Sequence, residues 1–393
     1  MIKYVCAILI ICITNNIYAL QTSNPKSQMP IIAYMGPIVE YTSIAEYKEM
    51  RQCGFTHTIN IYNSVKKAKD DLIRAAKTGI KVYVHTPQII KSPKLVANEL
   101  KKYDALGGYF LADEPNMTDI NALKKITENI KTIDNEHPCY VNLHPYYTPN
   151  QLNSIGTKSY KQYLKAASTI GLPQISFDFY PITKNGLRST WFYNLEEIRK
   201  ESLREKKPFW GYILTVPHEI YPTPTLAALR LQAFVNLAYG AQALQYFTYR
   251  TPKDKKYNFK NALISLNGKK TTIYNLVKNF NKEINKTASL FYQSKIVSIG
   301  HLIDIPYGCK KAKVPINIKH LSVKGKKGAI VSIFKKNSHI YMAIINKDYL
   351  NTLSLNIKIR STNVTYINKN LNTEKVRNAY TINAGDIAIF KLK

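Results

Sequence analysis

Asp113-Glu114-Pro115 sets two carboxylates side by side where the apolar run Tyr109-Phe110-Leu111 ends and a proline forces the chain out of the extended state. The helix that follows already has cap residues in Asn116-Met117-Thr118-Asp119, so capping does not account for the pair. Two more carboxylates stand where later apolar runs end. Asp178 lies in Gln174-Ile175-Ser176-Phe177-Asp178-Phe179-Tyr180, and Glu219 in Val216-Pro217-His218-Glu219-Ile220-Tyr221-Pro222. A pair of carboxyl groups is what cleavage of a glycosidic bond requires: one protonates the leaving oxygen and the other serves as nucleophile or base. Glu114, Glu219 and Asp178 are therefore the candidate catalytic residues. Tyr34, Asn60, His85, Asp113, Asn142, His144, Tyr180, His218, Gln245 and Tyr249, all near the ends of extended runs, are the candidate substrate contacts. Aromatic faces with amides and carboxylates suit a sugar, whose CH face stacks while its hydroxyls need hydrogen-bond partners. No cluster of arginines suited to phosphate accompanies them.

The elements that must hold these residues follow a regular alternation. Extended runs begin near Ile31, Phe55, Lys81, Leu106, Cys139, Gln174, Phe209 and Ala243, and each gives way to a helical stretch. Eight strand–helix units predict an α/β fold, a (β/α)8 TIM barrel over residues 28–292, whose strands carry their carboxyl ends to one mouth. A doubly wound sheet would call for a phosphate-binding glycine loop, and none occurs. Over residues 294–393 the pattern changes to short extended runs at 329–334, 339–345, 353–359 and 386–392, with no helix between them. That segment reads as a small C-terminal antiparallel β-sandwich, a structural appendage to the barrel.

Composition is that of an ordinary globular chain, with 45% hydrophobic residues among 393. Residues 1–20 read as a signal peptide: a positive start, an apolar stretch too short to span a bilayer, and Ala19 as cleavage position. The protein is thus expected to be exported, without stable membrane insertion. Leu9-Ile10-Ile11-Cys12 touches on a lipoprotein signal, but the bulky Ile11 argues against it. Cys53, Cys139 and Cys309, left after cleavage, are too few and too scattered for a disulfide framework, and no Cys/His spacing fits zinc. Neither a metal nor a cofactor is expected. The net charge of +31 is spread through every segment alongside abundant Ile, Asn and Tyr, so coding bias is its first reading. Attraction to an anionic polysaccharide comes second. Nucleic acid comes last, because no stripe of basic residues and no binding motif is present.

Asp113-Glu114-Pro115 at the end of the fourth strand resembles the Asn-Glu-Pro of the clan A glycoside hydrolases, and the barrel with an all-β tail is similar to the family 42-type proteins of gut bacteria. The resemblance covers most of the chain in architecture but is sharp in this one motif. It implies that Glu114 is the acid/base and that a glutamate near the end of strand seven, here Glu219, is the nucleophile, with retention of configuration. Asp178 is the competitor for the second role. Asp113 departs from the asparagine that in the clan helps hold the sugar 2-hydroxyl, and its charge should raise the pKa of a neighbouring carboxyl. The expectation is an exported glycoside hydrolase acting on an oligo- or polysaccharide. The alternative is a glycan-binding barrel that has lost its nucleophile.

Overall fold

The structure, a computed structural model, describes residues 28–37, 42–361 and 363–392. The expected signal peptide and its cysteines lie outside these residues. Eight parallel strands close a barrel in sequence order: β1 (Ile31–Tyr34), β2 (His57–Ile61), β3 (Lys81–His85), β4 (Leu106–Asp113), β5 (Cys139–Leu143), β6 (Ile175–Phe177), β7 (Phe209–Leu214) and β8 (Ala243–Phe247). The helices between them start where the sequence places caps. Ser43 and Glu46 form a capping box on the helix Ile44–Gln52, and Gly240, at φ +108°, ends the helix Leu226–Tyr239. Short helices at Pro87–Lys91 and Pro149–Ile155, and a small hairpin pairing Ile182–Thr183 with Gly186–Leu187, were not expected from the sequence.

Inside the barrel, alternate residues stack into an aromatic core of Ile32, Tyr34, Ile59, Tyr83, Phe110, Tyr140, Trp210, Tyr212 and Leu214. The opposite parity of each strand faces the helices. That parity decides the fate of Asn60, one of the expected substrate contacts, whereas Tyr249, another, lies two residues past the end of β8 and leaves the inward register there. Asn60 lies behind β2, where it accepts from the Gly36 N–H (3.1 Å) and donates to Tyr47 and Tyr62 (3.1 Å each). Asp71 completes this network by accepting from both tyrosines at 2.6 Å. A Cβ on Gly36 would fall 2.8 Å from the Asn60 amide oxygen and 2.3 Å from Thr58 Oγ1, so only glycine lets the backbone approach this closely. Tyr249 packs edge-on against Phe55 (5.5 Å between ring centres) in the outer core. Both residues belong to the layer between barrel and helices.

After the long closing helix Thr272–Phe291 the chain turns all-β, as expected, with more strands than the sequence revealed. These are β9 (Lys295–Leu302), β10 (Ile318–Lys324), β11 (Ala329–Lys336), β12 (His339–Asn346), β13 (Leu353–Ile359), β14 (Thr365–Ile367), β15 (Thr373–Lys375), β16 (Ala379–Ile382) and β17 (Ile387–Lys391). They form a six-stranded sheet in the order β9-β11-β12-β17-β14-β15 and a three-stranded sheet β10-β13-β16. The two sheets enclose Val331, Met342, Ile344, Leu355, Ile357 and Phe390. The other face of the large sheet lies on the barrel through Ile330, Phe334, Ala343, Ile345 and Ile389. Phe334 stacks on Phe291 at 4.4 Å, and Ser332 donates to the Ala238 carbonyl at 2.8 Å. Covered by barrel on one side and sheet on the other, the helix Leu226–Tyr239 is buried nearly all round, which explains its almost wholly apolar sequence. Arg230 on that helix grips Glu283 (2.7 Å) and reaches Asp386 (3.5 Å) across the seam.

Candidate active site

The site begins with an irregularity in β4. The pairing of β4 with β5 shifts between Phe110 and Ala112, so Leu111 and Ala112 both side with the outer core. Phe110 faces the barrel interior and, three residues later, Asp113 faces it again; a bulge re-aims a side chain in this way. Glu114 then takes φ +48°, a left-handed conformation that is strained for a residue with a side chain. Its N–H still donates to the Asn142 carbonyl (2.8 Å), while its carboxyl joins that of Asp113 on the mouth side. In a regular strand two successive residues would point to opposite faces. Bulge and turn together bring both to one.

Three carboxyl groups meet there. Asp113 accepts from the Tyr34 hydroxyl (3.0 Å) and from the Asn142 amide (3.1 Å). Asn142 also donates to Asp178 at 2.8 Å, and its own oxygen accepts from Ser176 at 2.9 Å. Glu114 feels the charge of both aspartates. Burial, then the charges of Asp178 and Asp113, push the Glu114 carboxyl up to about 9. Burial and then Asp113 push Asp178 up to about 7, although the hydrogen bonds from Asn142 and Tyr180 work the other way. Asp113 is also raised, chiefly by desolvation, against the pull of Asn142 and Tyr34. Solvent touches Asp113 and Glu114 through the mouth while protein crowds their other sides, so water screens part of this effect. The deeper Asp178 is nearly fully covered.

Below the carboxylates lies a closed polar layer. The Tyr140 hydroxyl contacts Ser176, Tyr212 and the Gln245 oxygen (2.9, 3.1 and 2.8 Å), and Gln245 donates to Ser176 at 2.8 Å. Gln245 is wholly buried and supports the site from beneath, where the sequence reading had it lining the pocket. His144 sets Nδ1 3.5 Å from a Glu114 oxygen, and its Nε2 is buried without a partner. Burial lowers the pKa of this imidazole. His85 and His218 each donate from Nδ1 to a backbone carbonyl, of Phe110 at 2.9 Å and of Val216 at 3.0 Å. A carbonyl only accepts, so both rings carry their proton on Nδ1.

Glu219 is not part of this group. His218 and Tyr221 exchange backbone hydrogen bonds around a tight turn, with Glu219 exposed at its tip at φ +44°. The strand β7 itself runs out into Thr215 and Val216, with no carboxylate at its end. The residues that sequence reasoning missed are aromatic. Phe247 and Phe259 join His218, Tyr180 and Tyr221 in a continuous wall beside Asp178, with ring centres 4.7–6.2 Å apart. A cis peptide links Phe247 to Thr248 at the end of β8. Among the described residues no group of three or more His, Cys, Asp or Glu is arranged to hold a metal ion.

A barrel mouth with clustered carboxyls beside an aromatic wall suits a carbohydrate site, and comparison with known proteins agrees. The family model for glycoside hydrolase 42, described as beta-galactosidase, matches residues 114–287, from Glu114 into the closing helix. That match takes in less than half of the chain. In fold the chain is similar to the beta-galactosidase of Bacillus circulans sp. alkalophilus, with a TM-score of 0.64 at 10% identity over 93% of this chain and 99% of that one. A family 39 glycoside hydrolase from Bacteroides cellulosilyticus WH2 is similar at 12% identity over 93% of this chain and 81% of that one, with a TM-score of 0.52. The beta-galactosidase of Marinomonas ef1 is 10% identical over 67% of this chain, with a TM-score of 0.53; the match spans only 60% of that enzyme. No curated protein sequence matches.

Proposed function

We propose that the protein is an exported glycosidase that cleaves an O-glycosidic bond in an oligo- or polysaccharide, with Glu114 as general acid/base and Asp178 as the second carboxylate. The observation that carries this reading is the gathering of Glu114, Asp113 and Asp178 at one mouth, where the Asn142 amide joins Asp113 (3.1 Å) to Asp178 (2.8 Å), with Glu114 raised to about 9 and Asp178 to about 7. At neutral pH Glu114 then holds a proton to give to the leaving oxygen, and Asp178 sits at the edge of ionisation. Asn142 and Tyr180 hold Asp178 by hydrogen bonds that favour its charged form. Retention is the outcome the clan resemblance implies: Asp178 attacks the anomeric carbon as Glu114 protonates the departing oxygen, and Glu114 then deprotonates the water that releases the sugar. Asp113, fixed by Tyr34 and Asn142, is placed to accept from a sugar hydroxyl. Export rests on the sequence of residues 1–20 alone.

The rival reading, a glycan-binding barrel without turnover, is favoured by the end of β7, which carries no carboxylate. One experiment separates the two. Wild type, Glu114→Gln and Asp178→Asn are assayed on a glycan panel and on activated aryl glycosides. An aryl leaving group needs little protonation, so Glu114→Gln should spare aryl substrates relative to glycans, and Asp178→Asn should abolish turnover of both. Full activity of Asp178→Asn removes it from the mechanism. Binding of a glycan by a wild type that releases no sugar from any substrate establishes the rival.

A further inference from the structure

Arg188 follows the small hairpin after β6, and its guanidinium is clasped between two tyrosine rings. It lies 4.8 Å from the centre of Tyr147 and 5.5 Å from that of Tyr221, and Nη1 donates to the Tyr221 hydroxyl at 3.2 Å. Its backbone N–H is tied to the Pro181 carbonyl. No carboxylate pairs with it among the described residues. Tyr221 meets Tyr180 edge-on, and Tyr147 takes the Tyr180 N–H on its hydroxyl, so the arginine sits on the same aromatic wall as Asp178. The rim around it is basic as well. Lys184, Lys253, Lys255, Lys256 and Lys260 are exposed and in no ion pair among the described residues, with only Glu219 and Asp254 of opposite sign on these loops.

A guanidinium whose only polar partner among the described residues is a phenol keeps most of its planar fork of donors free. The rings at its flanks hold it in place, so little side-chain freedom is lost when an anion binds. We propose that Arg188 is an anion subsite beside the carboxyl cluster, and that the glycan entering this mouth carries a carboxylate or sulfate for it. The inference rests on the reading of the mouth as a glycan site and is independent of turnover. The lysines on the rim supply the field that gathers an anionic chain, and Arg188 supplies the fixed contact.

The test measures affinity of the full chain for polygalacturonate, for a sulfated galactan and for a neutral galactan, at one ionic strength. Arg188→Gln, Arg188→Lys and Lys319→Gln are compared with wild type; Lys319 is an exposed lysine of the tail and controls for net charge alone. Wild type should prefer an acidic polymer, and the responding polymer tells carboxylate from sulfate. Arg188→Gln should weaken that binding by about tenfold or more and leave the neutral polymer unchanged. Arg188→Lys should restore only part, lacking the planar fork, and carries the test by the same ratio should the glutamine variant not fold. Lys319→Gln should change neither. Equal losses on neutral and acidic polymers, no loss on the acidic one, or no acidic polymer bound by wild type overturns the proposal. Binding through Arg188 without release of sugar leaves this inference standing and removes the hydrolase. Hydrolysis confined to neutral galactan does the reverse.

Discussion

The carboxyl of Glu114 lies in the field of Asp178, so ionising one makes ionising the other harder. With Asp113 adding charge to both, the three groups titrate as a unit whose apparent values belong to the cluster. Asn142 is the one neutral donor bridging two members of the cluster, Asp113 and Asp178.

The first expectation concerns pH. Turnover needs Glu114 protonated and Asp178 ionised, so kcat/KM should rise toward about pH 7 and fall above about pH 9. Asp113→Asn removes one negative charge from beside both, and both limbs should move to lower pH. A profile with an acid limb near pH 4, unmoved by Asp113→Asn, would show that the cluster does not govern the rate.

Stability should run the opposite way. The folded pKa of Glu114 is raised above its unfolded value, so the folded chain binds more protons between the two and stability falls as pH rises through this window. Glu114→Gln removes that cost. Its melting midpoint should exceed that of wild type by roughly 1–3 °C at pH 9, and the gap should close by pH 4. An equal gap at both pH values would contradict the assignment.

Replacing Asn142 with Leu removes the hydrogen bonds that hold Asp113 and Asp178 toward their charged forms. The acid limb should then shift upward, and kcat at pH 7 should drop about tenfold or more. A drop in kcat with the limb unmoved would mean that Asn142 acts through substrate contact instead.

Glu219→Gln separates the clan pattern from the observed geometry. With Glu219 at the tip of an exposed turn, its variant should keep kcat within about twofold of wild type. A loss of a hundredfold or more would return Glu219 to the mechanism through a movement of that turn.

Asn60→Ala should show the signature of a structural residue. Its loss leaves the Gly36 N–H and the Tyr47–Tyr62–Asp71 network short of partners inside the protein. A destabilisation of about 1–3 kcal/mol with KM unchanged is expected. Unchanged stability with a raised KM would put Asn60 back at the mouth.

The barrel was legible because each strand–helix unit announces itself locally, through an apolar run and then a capped amphipathic stretch. Glu114 was legible for the same reason, as acid at the end of a buried strand. Asn60 was misread because it sits one pleat out of phase with the inward residues, and spacing alone does not say which parity faces in; Tyr249, in phase with Gln245 and Phe247, was misread because β8 ends at Phe247 and the chain turns there. The bulge at Leu111, which turns Asp113 inward, follows from pairing with β5 and leaves no mark in the sequence of β4. Choosing Asp178 over Glu219 required knowing that β7 ends before the His218–Tyr221 turn. In the tail, β14, β15 and β16 are three or four residues long, too short for alternation to be read.

The large tail sheet is dressed on both faces, by the small sheet on one and by the barrel helices on the other. Peeling it away would strip Phe291 and the helix Leu226–Tyr239 of their cover and leave a sticky, water-facing scar. The tail is therefore no detachable cargo for swapping onto other barrels. A chain cut at residue 292 should clump rather than fold, and the intact chain should melt in a single step.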